Sequence, residues 1–551
     1  MIRTRLKETL DRCFQEGVER HYWSADSAGI YTLEHPKREG QGDLATNLCL
    51  VVAGREKKSP RAVAEKLVEL LADSPLLEKV EIAGPGFVNF FVRREVWQSV
   101  LPEVCKQDEA FGLSHSGEGK RVLVEFVSAN PTGPLSVGHG RQAVLGDAIC
   151  RLLAATGHQV TREYYYNDAG RQMRVLAQSV RARYLELLGV AGEFPEDGYQ
   201  GDYIVAIAKD LLAEHGDGLK EQDDLTPFQA KAEQAIFADI NGTLDRLSIH
   251  FDNYYNEHSL YDNGHIDEVV SLLRDKGLVY DQDGAVWFKT TELGLDQDRV
   301  IIKSTGEPTY RLPDIAYHRE KFKRGFDWMV NIFGSDHIAT VPDVMAGVRA
   351  LGYDDSKVTV VLHQFVTLMR EGKQVKMSTR KATYVTLDEL LTEVGADVVR
   401  FFFLMRKADS QLEFDLDLAT QQSQENPVYY VQYGHARLCS ILRQAAERGI
   451  GLGDIAAARL DLLVERDELD LLKAMAAYPD QVQGAACELA PHRVIFALQD
   501  LAGKFHSFYN KHRVISDDQE LSRARLWLVN GLRTVLRNGL VLIGVKAPET
   551  M

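Results

Sequence analysis

Gly138, His139 and Gly140 stand where an apolar strand pattern gives way to a helix pattern. The run RVLVEFV precedes them, and the stretch ANPTGPLSVGHGR (129–141) forms the junction. Ligands of parallel sheets bind beyond the carboxyl ends of the strands, where a helix N-terminus offers unpaired N–H groups to a phosphate. Glycines let the phosphate approach the backbone, and an imidazole in the first helical turn adds a donor. The junction predicts a nucleotide phosphate site, with a purely structural turn as the alternative.

A second candidate segment is GKQVKMSTRKATYVTLDEL (372–390), far along the chain. Its lysines and hydroxyl groups suit the charge that spreads over a phosphate during displacement. A solvated basic loop is the alternative interpretation. Neither segment is a P-loop, because no Gly-Lys-Ser/Thr follows, and no GxGxxG dinucleotide fingerprint follows a strand.

The composition is typical of a soluble globular protein, with 551 residues of which 45% are hydrophobic and 26% charged. The net charge of −16 argues against a protein that coats nucleic acid by bulk charge, although a local basic face could bind a specific RNA. No apolar run is long enough to span a bilayer, and the first residues lack a signal peptide's apolar core. Six scattered cysteines without metal-ligand spacing predict a reducing compartment and no structural zinc. We expect a cytoplasmic enzyme without a membrane partner.

Three regions differ in their patterns. Residues 1–115 mix helical patterns with short strand-like runs and predict an α+β N-terminal domain, with a turn at Gly84–Gly86. Residues 116–425 alternate strand-like runs (VLVEFV, WMVNIFG, KVTVVLHQFV) with helical stretches, which predicts a Rossmann-like doubly wound parallel sheet of the α/β class. An acidic helical insertion is expected near 176–239. Residues 426–551 show helical patterns only and predict an all-α C-terminal helical bundle.

Both candidate phosphate segments resemble signatures of the class I aminoacyl-tRNA synthetases, His-Ile-Gly-His and Lys-Met-Ser-Lys-Ser. Over nearly its whole length the chain is similar to the arginyl-tRNA synthetase family. The most specific matching strings are VEFVSANPTGPLSVGHGRQAVLGDAICRLLAATGHQVTREYYYNDAGRQ and ENPVYYVQYGHAR. The chain departs from the family pattern at Ser136, where the first histidine is usual, and after Ser378, where Arg380 and Lys381 are the two candidates for the missing second lysine.

The resemblance implies an ATP site at the two signatures. The catalytic residues it implies are His139, Ser136, Lys376 and Ser378. The ATP-binding residues it implies are Pro131, Thr132, Gly133, Pro134, Gly138, His139, Gly140, Lys376 and Met377. Mg²⁺ is expected to accompany ATP, since the sequence shows no dedicated set of metal ligands.

An arginine substrate needs carboxylates that accept the planar fork of a guanidinium. The resemblance assigns this role to Glu257, Tyr310 and Asp314, whose alternatives are a surface charge, core packing and a helix cap. Tyr310 and Asp314 would share a helix face, but Pro313 predicts a turn. The other expected arginine-binding residues are Glu125 for the ammonium, Asn130 for the carboxylate, and Asp336 and His337 in the cleft.

The resemblance also implies that the helical domain binds the anticodon and that the N-terminal domain touches the tRNA elbow. The candidate tRNA-binding residues are Tyr429, Tyr430, Gln432, Tyr433 and Arg437. These side chains would offer stacking faces and hydrogen-bond donors to splayed bases. An equal alternative is that two of the three tyrosines pack in the core of the bundle.

The implied reaction activates L-arginine with ATP to arginyl-adenylate and transfers the arginyl group to the 3′ end of tRNA(Arg), giving AMP and pyrophosphate. The family commonly needs tRNA for the first step, and a monomer is expected. Two other readings stay open. One is another class I synthetase or a nucleotidyltransferase, which Glu257 and Asp314 disfavour. The other is a non-catalytic tRNA-binding relative, suggested by Ser136 and disfavoured by His139 and Lys376.

Overall fold

The computed structural model describes residues 1–36, 38, 40–375 and 385–551. The expected site residues Lys376, Met377 and Ser378, together with Arg380 and Lys381, therefore lie outside the described residues. In the described part of the chain, no helix is long and apolar enough to cross a membrane.

The N-terminal region packs helices against one antiparallel sheet. Its elements are α1 (Ile2–Glu19), β1 (Leu33–Glu34), β2 (Leu44–Thr46), α2 (Leu48–Glu56), α3 (Pro60–Leu71), β3 (Leu77–Ala83), β4 (Phe87–Val92), α4 (Arg94–Gln98) and α5 (Val100–Gln107). The strand order is β1-β2-β4-β3. Val88 and Phe90 of β4 are fully buried. The expected turn at Gly84–Gly86 joins β3 to β4.

The central region contains most of the strands. Its elements are β5 (Arg121–Glu125), α6 (Val137–Ala155), β6 (Gln159–Tyr166), α7 (Gly170–Leu187), α8 (Asp202–His215), α9 (Thr226–Arg246), β7 (Asn253–Asn256), α10 (His258–Asp262), α11 (His265–Asp275), β8 (Val279–Gln282), β9 (Ala285–Phe288), β10 (Arg299–Ile302), α12 (Arg311–Lys323), β11 (Trp328–Gly334), α13 (Val341–Ala350), β12 (Val358–His363), β13 (Val366–Arg370), β14 (Lys373–Gln374), α14 (Leu387–Val394), α15 (Ala396–Leu404), β15 (Leu412–Asp415) and α16 (Leu416–Thr420).

A parallel sheet with the order β12-β11-β5-β6-β7 forms the centre of this region. Val122, Leu123 and Val124 of β5 are fully buried because both faces of the sheet are covered. The chain leaves β5 toward β6 on one side and later returns to β11 on the other. This reversal of strand order opens a crevice beyond the carboxyl ends of β5 and β11. The predicted Rossmann-like parallel sheet is confirmed.

The apolar run KVTVVLHQFV divides between two sheets. Val358–His363 is β12 of the central sheet, whereas Val366 begins β13, which pairs with β14 and β15. The run was predicted as one strand, but the chain leaves the central sheet at Gln364, whose N–H donates to the Ala408 carbonyl at 2.9 Å. Helices α7, α8 and α9 pack together between β6 and β7.

The C-terminal region is helical, as predicted. It contains α17 (Pro427–Glu447), α18 (Arg466–Cys487), α19 (His492–Lys511) and α20 (Gln519–Leu542). Each helix buries one apolar stripe against its neighbours, for example Leu471, Leu472 and Met475 of α18.

A buried arginine joins this bundle to the central region. Arg400 of α15 is 1% exposed and pairs with Asp147 of α6. It also donates to the carbonyls of Leu247 at 2.9 Å and Ile543 at 3.0 Å, which follow α9 and α20. A Cβ at Gly544 would overlap the guanidinium, so glycine is required there. Arg400 thus holds four segments at one point.

Candidate active site

The first turn of α6 places His139 at the crevice. Ser136 is the N-cap of this helix, and its hydroxyl accepts the His139 N–H at 3.4 Å. In return, the Ser136 N–H donates to His139 Nδ1 at 3.2 Å. Burial lowers the pKa of His139, with the charge of Asp336 opposing the shift. The ring is therefore neutral near pH 7, and because Nδ1 is an acceptor, its proton is on Nε2.

Two groups from neighbouring strand ends share this end of the crevice. Asp336 follows β11 and His363 ends β12, and the charge of Asp336 acts on His363. The pKa of His363 is lowered to about 4, mainly because the ring is buried. His337 lies next to Asp336, and its ring packs against Phe333 at a centroid distance of 5.2 Å. The structure thus places Asp336 beside the imidazole groups, rather than with the carboxylates described below.

The two glycines around His139 have different environments. A Cβ at Gly140 would overlap Leu387 of α14, so this glycine permits close helix packing. A Cβ at Gly138 would approach only the Ser136 hydroxyl, at 3.6 Å. Gly138 therefore leaves room for a ligand, whereas Gly140 positions α6.

The loop Pro131–Pro134 is held by the helices between β6 and β7. The Tyr203 hydroxyl of α8 donates to the Thr132 carbonyl at 2.8 Å, and a Cβ at Gly133 would lie 2.9 Å from the same hydroxyl oxygen. Asn130 accepts the Asn167 N–H at 3.0 Å through its side-chain oxygen. The loop therefore borders the crevice in a fixed conformation, with the Asn130 amide facing Gln172 at 3.1 Å.

Three carboxylates converge on the opposite side of β5. Asp314 of α12 is half-buried, and burial followed by the charges of Glu125 and Glu257 raises its pKa to about 8. Glu257 precedes α10 and accepts hydrogen bonds from the Tyr165 hydroxyl at 2.7 Å and the Asn167 amide at 2.8 Å. Burial raises the pKa of Glu257 as well. Such a concentration of negative charge favours a bound cation.

Glu125 is not free to bind that cation. It is 3% exposed, and the Lys321 ammonium donates to its Oε2 at 2.6 Å. The Ser128 hydroxyl donates to Oε1 at 3.1 Å and accepts the Tyr165 N–H at 3.2 Å. Val127 and Ser128 have φ values of 67° and 45°, a strained region for a β-branched residue in particular. The strained turn aligns the Ser128 hydroxyl with Glu125.

Tyr310 and Asp314 both lie at the start of helix α12. Tyr310 is the N-cap of α12, and Pro313 lies in the first turn of that helix. The prediction of a turn at Pro313 is wrong, because the first N–H groups of a helix have no intrahelical partner and proline is tolerated there. The Tyr310 side chain is 84% exposed, so the structure does not bring it against the three carboxylates.

Several residues of this site were missed at the sequence level. Lys321 was one, although Asp314, Tyr317 and Lys321 recur at helical spacing and lie on one face of α12. Tyr165 and Asn167 orient Glu257, and His363 follows a strand-like run. A polar residue at a strand end is the signal that could have identified His363.

Thr386 comes soon after the undescribed segment 376–384 and pairs with Ser136. The two residues form an isolated antiparallel bridge, and the Leu387 N–H donates to the Leu135 carbonyl at 2.8 Å. The chain therefore resumes beside the first turn of α6.

The candidate tRNA-binding residues lie on α17, away from the crevice. Tyr429 and Tyr433 stack at 6.0 Å, and Tyr433 stacks on His506 of α19 at 6.1 Å. We call Tyr429, Tyr433 and His506 the aromatic ladder. Arg437 lies over the Tyr509 ring and donates to its hydroxyl at 2.9 Å.

The remaining two candidates differ from each other. Tyr430 packs against His506 with a centroid distance of 4.6 Å and is half-buried, like Tyr429 and Tyr433. Gln432 is 9% exposed and donates to Asp397 and to the Lys546 carbonyl, both at 2.9 Å. Gln432 is thus engaged inside the protein, while the tyrosines keep part of their surface open.

Family models match three consecutive parts of the chain. Residues 1–92 match "Arginyl tRNA synthetase N terminal domain", residues 101–402 match "tRNA synthetases class I (R), catalytic domain" and residues 431–551 match "DALR anticodon binding domain".

Curated relatives and a solved structure agree with these matches. A protein of Desulfotalea psychrophila named "Arginine--tRNA ligase" is 65% identical and covers 100% of both chains. A protein of Salinibacter ruber with the same name is 53% identical over 94% of this chain and 95% of its own. The arginyl-tRNA synthetase of Thermus thermophilus has the same fold, with a TM-score of 0.78 and 23% identity over 100% of both chains. The chain belongs to the arginyl-tRNA synthetase family.

Proposed function

We propose that the crevice beyond β5 and β11 binds ATP at its His139 end and L-arginine at its Asp314 end. The chain is an arginine–tRNA ligase that acts in two steps. The arginine carboxylate attacks the α-phosphorus of ATP and expels pyrophosphate, which leaves arginyl-adenylate. The terminal ribose hydroxyl of tRNA(Arg) then attacks the acyl carbonyl, and AMP leaves. No protein nucleophile is needed, so catalysis consists of positioning and charge stabilisation.

The ATP end of the crevice supplies neutral donors. The His139 Nε2–H and the N–H groups of the first turn of α6 donate to phosphate oxygens, and Gly138 lets the phosphate approach the backbone. Ser136 acts by orienting the imidazole. Lys376 and Ser378 are proposed to stabilise the departing pyrophosphate, on the basis of the family signature alone.

The arginine end supplies two carboxylates from different elements. Glu257 is fixed by Tyr165 and Asn167, and Asp314 approaches from α12. Two carboxylates suit the five N–H donors of a guanidinium, whereas the point charge of a lysine substrate would satisfy them poorly. Glu125 pairs with Lys321, so we do not assign it to the substrate ammonium. Its proposed role is to raise the pKa of Asp314 through its charge. Asn130 remains the proposed partner of the substrate carboxylate.

Mg²⁺ is proposed to enter with ATP and to be bound by its phosphates. Among residues 1–36, 38, 40–375 and 385–551, no group of three His, Cys, Asp or Glu side chains could hold a metal ion. No step is assigned to a resident metal ion.

Further proposals concern the tRNA and the molecule as a whole. Residues 1–115 would contact the tRNA elbow, residues 116–425 catalyse both steps, and residues 426–551 bind the anticodon. The part-open aromatic ladder supports stacking with splayed bases. We further propose a cytoplasmic monomer that needs tRNA for arginine activation.

The convergence of Glu257 and Asp314 is the observation on which the substrate assignment depends. Arginine-dependent ATP–pyrophosphate exchange tests it, with tRNA present or absent and with lysine as the comparison amino acid. Exchange with arginine and tRNA, but not with lysine, is expected. Exchange without tRNA would contradict the tRNA requirement only, whereas equal exchange with lysine would refute the role of the two carboxylates.

A further inference from the structure

A cavity of about 350 Å³ lies outside the crevice, where the chain segment after α5 meets the helical bundle. Residues 109–113 form one wall, Tyr478 and Val482 of α18 form a second, and α20 forms the third from Arg537 to Leu542. The volume is within the range of small-molecule sites. None of these residues belongs to the ATP end, the arginine end or the aromatic ladder.

The walls of the cavity are mainly apolar. Phe111 is 2% exposed and stacks on Tyr478 with a centroid distance of 6.2 Å. Gly112 has a φ of +105°, and a Cβ there would overlap the Tyr478 ring. Leu113 and Val541 are each 54% exposed. Such exposed apolar side chains beside a concave apolar surface are typical of a ligand entrance.

One polar atom inside this wall has no partner. Tyr478 is 4% exposed, and no described residue forms a hydrogen bond with its hydroxyl group. Tyrosines inside proteins usually form a hydrogen bond through the hydroxyl group. The buried Tyr184 follows that rule, since its hydroxyl donates to the Gly216 carbonyl at 2.6 Å. A ligand in the cavity would give Tyr478 the partner that no described residue provides.

The charges around the cavity argue for an uncharged ligand. Arg537 pairs with Asp108 at 2.7 Å and donates to the Asn538 side-chain oxygen at 3.2 Å. The Asn538 amide group is in turn satisfied by the carbonyls of Asp108 at 2.7 Å and Phe111 at 3.1 Å. Glu109 is exposed to solvent. Since the charged groups are paired or solvated, burying an ion among these walls would leave its charge uncompensated.

We propose that this cavity is a binding site for an uncharged planar aromatic molecule of bicyclic or tricyclic size, with one hydrogen-bond acceptor directed at the Tyr478 hydroxyl. The ring system would pack between Phe111, Val482 and Val541. A bound molecule would connect residues 109–113 to α20, and thereby the N-terminal region to the helical bundle.

The test uses quinoline, an uncharged bicyclic molecule with one acceptor nitrogen at pH 7.5. Binding to the full chain is measured by isothermal titration and by saturation-transfer NMR. Tyr478→Phe removes only the unpartnered hydroxyl, and Val541→Asp places a charge at the entrance, on an exposed position. Tyr184→Phe is the matched control, because it removes a buried hydroxyl elsewhere in the chain. Arginine-dependent exchange is measured for every variant.

We expect wild-type binding with a dissociation constant of about 1 mM or tighter, typical of a fragment-sized ligand. Tyr478→Phe should weaken it about fivefold, as for one neutral hydrogen bond, and Val541→Asp should abolish it. Tyr184→Phe should bind quinoline as the wild type does, and exchange should be unchanged in Tyr478→Phe and Val541→Asp. Absent binding in the wild type would overturn the proposal. So would binding that neither cavity variant alters.

Discussion

Ser136 and Thr386 are bridged in antiparallel orientation, which ties the first turn of α6 to the start of α14. Thr386 also caps α14, since its hydroxyl accepts the Glu389 N–H at 3.1 Å. Two helix N-termini therefore meet at one point, and both are capped by hydroxyl groups. The bridge connects the His139 end of the crevice to the chain that follows residue 384.

Replacing His139 by Ala should lower arginine-dependent exchange about 10²–10³-fold, because one preorganised donor to a developing charge is lost. Affinity for tRNA, measured by filter binding, should stay within about twofold. Ser136→Ala is the matched variant. It removes the cap and the orientation of the imidazole but keeps the ring, so we expect a smaller loss of rate and about 1 kcal/mol of stability. Undiminished exchange in His139→Ala would exclude the proposed role of this imidazole.

The affinity for arginine should depend on pH through Asp314. Because its pKa is raised to about 8, the carboxyl group is largely protonated at pH 7 without ligand and must ionise to bind a guanidinium. The dissociation constant for arginine should therefore fall as pH rises toward 8, by up to about tenfold per unit, and then level off. Titration calorimetry from pH 6 to pH 9 measures this. Asp314→Asn should bind arginine weakly and without that pH dependence.

The same carboxyl group should affect the stability of the ligand-free chain. Its pKa in the folded state lies above the ordinary value of 3.8, so the folded state keeps a proton that the unfolded chain loses. The contribution of Asp314 to stability therefore becomes less favourable as pH rises from about 4 to 8. Asp314→Asn should melt at the same temperature as the wild type near pH 4 and at a higher temperature at pH 8. Equal melting temperatures at both pH values would show that the pKa is not raised.

Tyr433, in the middle of the aromatic ladder, should contribute to tRNA binding. Tyr433→Leu removes a stacking face worth about 1–3 kcal/mol per base, so tRNA affinity should fall by roughly 5- to 100-fold. Phe496→Leu is the control, because Phe496 is a 51% exposed aromatic residue on α19 outside the ladder. If both variants lose affinity equally, the ladder has no special part in tRNA binding.

Breaking the buried pair between Arg400 and Asp147 should be costly. Arg400→Met leaves Asp147 with Arg151 at 2.7 Å and Arg162 at 3.7 Å, and removes the link to the Leu247 and Ile543 carbonyls. We expect a loss of about 3 kcal/mol in urea unfolding. Arg246→Met breaks the exposed pair with Asp388 and should cost less than about 1 kcal/mol. Similar costs for the two variants would contradict the structural importance of Arg400.

The sequence predicted the secondary structure of this protein better than the environments of its site residues. Strands such as β5 and β11 were predictable, because a short run of apolar residues between turn residues must be covered on both faces. The helical nature of α17–α20 was predictable because each of these helices buries one apolar stripe, whose residues recur every three or four positions. Pro313 was wrongly predicted to lie in a turn, because proline is favoured both in the first turn of a helix and in turns. Only the hydrogen-bond pattern after Tyr310 distinguishes the two.

For the site, the residue pattern pointed to His139 and the resemblance to the family pointed to Glu257 and Asp314, whereas the environments of these residues came from elsewhere in the chain. The pairing of Glu125 with Lys321 joins residues nearly 200 positions apart, and nothing local to either predicts it. For the same reason the sequence did not predict that Gln432 is engaged inside the protein or that Tyr310 is exposed.

The sequence by itself determined the classes of structure in each region, the family, and the residue types available for phosphate and guanidinium binding, because these follow from local pattern and chemical identity. The tertiary structure alone decided which carboxylate is free, which glycine faces a ligand and which hydroxyl is unpaired. Those properties depend on burial and on partners brought from distant positions, and short-range sequence does not record either.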